Sequence, residues 1–177
     1  MPGEADMAKK IAVLLDEMVN EQEFIYPYYR LKEAGFESLS VATEKRVYKG
    51  KYGVPLTPDM LIADVTLGEF EGVVVPGGYA PDFLRRSKAM LSLVGEMNDK
   101  GKLVAMICHG GWVGVSAGIV KGHTLTSTSA IRDDMSNAGA TWVDRSVVVD
   151  GNLVTSRSPA DLPDFMREVL RVLSVQK

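Results

Sequence analysis

Apolar residues fall along this chain in two rhythms. Short dense runs recur at 10–15 ("KIAVLL"), 72–76 (within "GVVVPGG") and 102–107 ("KLVAMI"). They are too short for stable helices and leave no polar face, so each predicts a strand buried on both sides. Between them the apolar positions spread to three or four residues apart. In "EQEFIYPYYRLKEAG" the residues Phe24, Ile25, Tyr28, Leu31 and Ala34 share a helical face, and Gly35 ends it. Pro27 fits such a helix only near its start, because it lacks an N–H and its ring meets the preceding turn. "SKAMLSLVGEMNDKG" (87–101) and 159–175 predict two more amphipathic helices. "GWVGVSAGIV" predicts a helix of small residues, and "SAIRDDMSNAGA" a short one. "FESLSVAT" (36–43) alternates as a second strand. "KRVYKGKYGVPLTPD" reads as a hairpin excursion, and "RSVVVDGNLVTSR" as a hairpin turning at Asp150-Gly151.

Buried strands alternating with amphipathic helices predict an α/β fold, a three-layer sandwich around a mostly parallel sheet. No repeat or linker divides it, so residues 9–177 form one domain behind a polar, mobile tail at 1–8. A chain of 177 residues buries a full core. The net charge of −3 gives no electrostatic reason for a nucleic-acid or anionic-membrane partner. No apolar run approaches the roughly 18–20 residues of a spanning helix, and "MPGEADMAKK" lacks the apolar core of a signal peptide. The one cysteine forms no internal disulfide, and no cysteine pair offers a metal site. The expected compartment is the cytoplasm, where a free thiol stays reduced.

That cysteine, Cys108 in "VAMICHGGW", sits where strand 102–107 meets a helix starting near Gly110. Sites in such sheets form beyond the carboxyl ends of strands, and a side chain at this sharp turn points into the crevice. The following helix N-terminus favours a thiolate, which predicts a lowered thiol pKa. Gly110 and Gly111 leave room for strand and helix to pack closely. The competing reading is a buried cysteine acting as a small apolar residue. Carbonyl chemistry also needs an oxyanion site. Gly77 and Gly78 end strand 72–76 and can bring bare amides close to a ligand, and the His109 N–H is a second donor. Gly110 lies on the same surface. A tight turn alone would also explain Gly77-Gly78. Of the two histidines, His123 lies in a solvated "VKGHTL" turn. His109 adjoins Cys108, so its ring is expected to diverge from the sulfur. A carboxylate is then the expected helper. Glu21 and Glu23 follow the first strand at the same sheet edge, although acids at a helix start also serve the helix dipole.

"VVVPGGYAPD", "AMICHGGW", "EFIYPYYRLKEAG", "IRDDMSNAGATWVD" and "VVVDGNLVTSRSPADLPDFMRE" together resemble the ThiJ/PfpI family, in its PfpI branch, from about residue 9 to 175. The resemblance implies a flavodoxin-like sandwich related to class I glutamine amidotransferases. It implies Cys108 as elbow nucleophile and Glu23 as the carboxyl group bonded to it. It implies assembly as homodimers or homohexamers; no cofactor and no metal are expected. In the branch an acid approaches the elbow histidine from a neighbouring subunit, and here that position is Asp82. An acid of the branch aligns with Asn20, and a tyrosine-proline pair with Thr128-Ser129. The implied activity is a stress-related cysteine-dependent hydrolase acting on glyoxal-derived adducts, methylglyoxal or short peptides. The alternative is a redox sensor or holdase whose Cys108 is oxidised to a sulfinic acid. An amidotransferase would carry a late His-x-Glu pair where this chain has Ser158-Pro159.

Overall fold

A computed structural model describes residues 9–175; the expected tail at 1–8 lies outside the described residues. The first apolar run forms β1 (Lys10–Leu14), followed by α1 (Glu21–Glu33) and β2 (Glu37–Ala42). The excursion is a small antiparallel hairpin, β3 (Tyr48–Lys49) with β4 (Pro55–Leu56), and β5 (Met60–Leu61) returns to the sheet. Then come β6 (Phe70–Val75), α2 (Ala80–Leu84), α3 (Lys88–Asp99), β7 (Leu103–Ile107) and α4 (Gly111–Ser116). The chain closes with β8 (Thr124–Leu125), α5 (Arg132–Asn137), β9 (Thr141–Trp142), β10 (Val147–Asp150), β11 (Leu153–Ser156) and α6 (Leu162–Val175).

Seven strands form one sheet in the order β10-β11-β7-β6-β1-β2-β5, parallel except for β10. Helices α1 and α6 pack together on one face, and α3 and α4 on the other. This is the expected three-layer sandwich. The central strands read as dense apolar runs because both faces are covered: Ile11 to Leu15, Val73 to Val75 and Leu103 to Ile107 are essentially inaccessible. Truncating one of these large side chains to Ala would cost about 2–5 kcal/mol.

Two local expectations are corrected. Pro27 is the seventh residue of a 13-residue helix rather than part of its first turn, which leaves the Glu23 carbonyl without its i+4 partner. The β10–β11 turn is Gly151-Asn152, since Asp150 already pairs with Leu153. Helix α2 begins at Ala80 with Pro81 in its first turn, where the missing N–H is harmless, so Asp82 lies within the helix and does not cap it.

Candidate active site

From β1 the chain moves outward through β2 to β5, then crosses to β6 on the other side of β1. The sheet order therefore reverses between β1 and β6, and a crevice opens beyond their carboxyl ends. Three segments meet there: residues 15–20 after β1, residues 76–79 after β6, and Cys108 after β7. The tripeptide Gly77-Gly78-Tyr79 is held against Met18-Val19-Asn20. Asn20 donates its N–H to the Gly77 carbonyl at 3.2 Å, and Tyr79 donates to that of Met18 at 3.0 Å. Gly78 adopts φ +74°, and a Cβ on it would strike the backbone of Met18 and Asn20.

Cys108 has φ +60°, in the left-handed region that non-glycine residues seldom occupy. The strained turn aims the sulfur into the crevice, partly buried. Gly110 tucks beneath the Val75 carbonyl, where a Cβ has no room. Its role in the structure is this close packing, which corrects its expected place on the substrate surface. The backbone amides of His109 and Gly78 face the sulfur and favour its thiolate form.

Glu23 is completely buried. Asn20 places it by capping α1, its side-chain oxygen accepting from the N–H groups of Gln22 at 3.1 Å and Glu23 at 3.4 Å. Glu23 Oε2 accepts from the Gly77 N–H at 2.7 Å. That bond corrects the expected oxyanion role of Gly77, whose amide is engaged by the carboxylate. A side chain at Gly77 would stand 2.5 Å from Glu23 Oε2 and 2.7 Å from Cys108 Cβ, so only glycine lets the two approach. Glu23 Oε1 is buried with no hydrogen-bond partner of good geometry, while the carboxyl as a whole interacts with the Cys108 thiol.

The electrostatics of this pair overturn the expected lowered thiol. Burial pushes the Glu23 carboxyl up to about 7, against smaller pulls from the Gly77 amide, the thiol and Lys51. Burial, then the Glu23 charge, push the Cys108 thiol up to about 12, although the His109 and Gly78 amides favour the thiolate. Around neutral pH the pair holds one proton between sulfur and carboxyl, and its titration belongs to both groups. Moving that proton from sulfur to Glu23 creates a thiolate without changing the net charge.

His109 departs from expectation in the other direction. Its ring does not diverge, because the left-handed Cys108 backbone folds it back, and Nδ1 lies 3.3 Å from Sγ. Burial and the Lys51 charge lower its pKa, so the imidazole is neutral at pH 7. It packs edge-on against Trp112, which Arg85 covers and whose Nε1 donates to Asp134 at 2.7 Å. Lys51, which the sequence reading did not single out, comes from the β3–β4 turn. Its ammonium lies 5.8 Å from the Tyr79 ring and acts on both Glu23 and His109.

The remaining candidates lie apart from the thiol. Asp82 pairs with Arg86 one helical turn on. His123 pairs with Asp150 at 3.3 Å, half-buried rather than fully solvated. Glu21 accepts from the N–H of Tyr52 and does not face the sulfur. Thr128 reaches the elbow through its backbone, its N–H 3.4 Å from the Cys108 carbonyl, and Ser129 is exposed. Among the described residues no cluster of three or more His, Cys, Asp or Glu could hold a metal ion, and no helix is long and apolar enough to cross a membrane.

Comparison with known proteins places this geometry in context. The family described as DJ-1/PfpI matches residues 9–172. Deglycase PfpI of Pyrococcus furiosus is 45% identical over 164 residues, covering 93% of this chain and 99% of that protein. Protein/nucleic acid deglycase 2 of Escherichia coli is 41% identical over 170 residues, covering 94% and 99%. Among solved structures, a two-domain protein from Anabaena variabilis with DJ-1/ThiJ/PfpI-like and ferritin-like domains superposes with a TM-score of 0.91 at 42% identity. The match covers 94% of this chain and 48% of that longer one. Drosophila melanogaster DJ-1beta superposes with a TM-score of 0.86 at 30% identity, covering 92% and 89%.

Proposed function

The chain belongs to the DJ-1/PfpI family, and on that premise we propose that it is a stress-related cysteine-dependent hydrolase of the deglycase type. The observation that carries this reading is the buried pair of Cys108 and Glu23, with a carboxyl titrating at about 7 beside a sulfur that faces two backbone amides. A general base is most effective with a pKa near the working pH. Glu23 takes the thiol proton as the sulfur adds to a carbonyl carbon. The carbonyl oxygen gains the electron pair, and the amides of His109 and Gly78 border the place where that charge develops. Protonated Glu23 then returns the proton to the oxyanion or to the departing amine. With an amide, amine loss leaves a thioester that water hydrolyses, restoring the thiol. With a glyoxal-type adduct, amine loss leaves a hemithioacetal. Its carbinol proton moves to the neighbouring carbonyl carbon to give the thioester, which water then hydrolyses to a hydroxy acid. The substrates are glyoxal- or methylglyoxal-derived adducts, with free methylglyoxal and short peptides as the neighbouring classes. The lone free thiol suits a reducing cytoplasm.

The test is turnover of a methylglyoxal-modified peptide, of free methylglyoxal and of an unmodified peptide amide, by wild type and Cys108→Ala. Release of unmodified peptide by wild type alone supports the deglycase reading, and amide cleavage alone redirects it to a peptidase. The second reading, a redox sensor, is favoured by the same protonatable Glu23, which could donate a hydrogen bond to a Cys108 sulfinate. No turnover, with a peroxide-induced gain of two oxygens at Cys108, would select it.

We also propose a homodimer or homohexamer in which Asp82 of one subunit orients His109 of another. Asp82 is half-exposed and held within its own chain only by surface-exposed Arg86, a pairing worth little in water. Co-assembled Cys108→Ala and Asp82→Ala subunits should recover activity that each lacks alone. No recovery despite subunit exchange would place the whole site within one chain.

A further inference from the structure

The two acids at the start of α1 part company in space. Glu23 turns to the thiol. Glu21 turns the other way and enters the β3–β4 turn, where Oε1 accepts from the N–H of Tyr52 at 2.7 Å and of Val54 at 3.3 Å. Gly50 lies flat against this carboxylate, and a Cβ there would overlap it. Glu21 is 5% exposed, and its Oε2 is buried with no partner. Burying a charged side chain to tie a surface turn is costly unless the turn has to be held in one position. The turn carries Lys51. Its backbone N–H is anchored to the Val19 carbonyl at 2.9 Å, beside the bridge between Val19 and Gly78, and Gly78 faces the sulfur.

We propose that Glu21 is a positioning residue: by clamping the 50–54 turn it holds the Lys51 ammonium beside Tyr79, at the rim of the Cys108–Glu23–His109 site, as the charge that tunes the thiol. Lys51 is the cation acting on Glu23 and His109. The other acidic or basic residues nearby are Glu21 itself, whose carboxyl meets the Lys51 turn, Arg85, which covers Trp112 beside His109, and Asp134, which holds the Trp112 indole. A fixed positive charge favours ionised Glu23 and disfavours imidazolium. Without it both groups titrate at higher pH.

The inference rests on Cys108 as the nucleophile of the proposed hydrolase. It is read by alkylation rather than turnover, so a wrong substrate class leaves the test intact. Iodoacetamide rates against pH would be measured for wild type, Lys51→Met, Glu21→Ala, Glu21→Gln and the Lys51→Met/Glu21→Ala double variant, each with its melting temperature. The limb governed by Glu23 should move up by about half to one pH unit in Lys51→Met. It should move equally in Glu21→Ala and no further in the double variant. Glu21→Gln should retain the wild-type limb, since its amide oxygen still accepts from both N–H groups. Should Glu21→Ala prove unfolded, Gly50→Ala expels the carboxylate from the turn side and should give the same shift. An unshifted limb in Lys51→Met overturns the inference. So does a lowered melting temperature with an unshifted limb in Glu21→Ala or Gly50→Ala, which would make Glu21 a structural strut alone.

Discussion

The crevice at Cys108 and the turn of the β3–β4 hairpin flank the same end of α1, and each receives one buried glutamate. Glu23 meets one backbone amide and a thiol, and its carboxyl stays proton-accepting near neutral pH. Glu21 meets two amides of a turn, which occupy the oxygen that reaches them. The residues share a type, a burial class and a helix turn, and differ only in what the adjoining segment offers. A carboxylate surrounded by amides is a structural fastener, whereas one left facing a single titratable partner is available for chemistry. Each acid buries one oxygen without a partner, so neither burial nor unspent hydrogen-bonding capacity identifies the catalytic group; the adjoining thiol does.

The largest expected effect separates the two acids directly. Glu23→Gln keeps the shape and the bond from Gly77 but removes the base, and kcat on the modified peptide should fall by about 10²–10⁴-fold. Glu21→Gln should lose well under tenfold. Equal losses would mean that the acids act through general negative charge, and the comparison would fail.

Next in size is a stability effect of Glu23. Its folded pKa, pushed up to about 7, lies above the ordinary carboxyl value of 4.5. The folded state therefore binds more protons than the unfolded state between these values. The stabilising contribution is complete below about pH 4.5 and is lost as pH rises through about 7. The loss approaches 3 kcal/mol. Urea unfolding from pH 4.5 to 8 should show Glu23→Gln gaining on wild type by a few kcal/mol across this window. Parallel curves would mean that the carboxyl is already ionised when buried.

The frame of this site was legible in the sequence because the physics behind it is local. Dense apolar runs mark strands covered on both faces, and the strand-glycine pattern around Cys108 marks the elbow. Glu23 was named only through family resemblance, since helix-start position left Glu21 and Glu23 equivalent. What escaped depends on how distant segments fold back. The return of the His109 ring to the sulfur follows from a left-handed φ at a non-glycine residue, which no propensity encodes. The Gly77 amide was assigned to an oxyanion because its partner lies 54 residues away. The same holds for Lys51: the hairpin was legible, but not which of its residues would reach the rim of the site. The thiol's own pKa was misjudged because helix dipoles are visible in sequence and desolvation is not.

The smallest effect concerns Asn20, which serves both acids at once. Its side chain caps the helix that bears them. Asn20→Ala removes acceptors for two N–H groups in a buried setting, a loss of about 1 kcal/mol. For a domain of this size that corresponds to roughly 2–4 °C in melting temperature. Asn20→Asp would keep the cap and add a negative charge three residues from Glu23. A like charge disfavours ionisation, so the pH at which Glu23 gives up its proton should rise. The two substitutions thus separate the cap from the charge: Ala lowers stability with a small pH shift, while Asp keeps stability and moves the alkylation limb upward. If Asp left the limb in place, the Asn20 side chain would be electrostatically remote from the thiol. Asparagine would then serve there for helix geometry alone, and Lys51 would remain the charge outside the Cys108–Glu23 pair that tunes it.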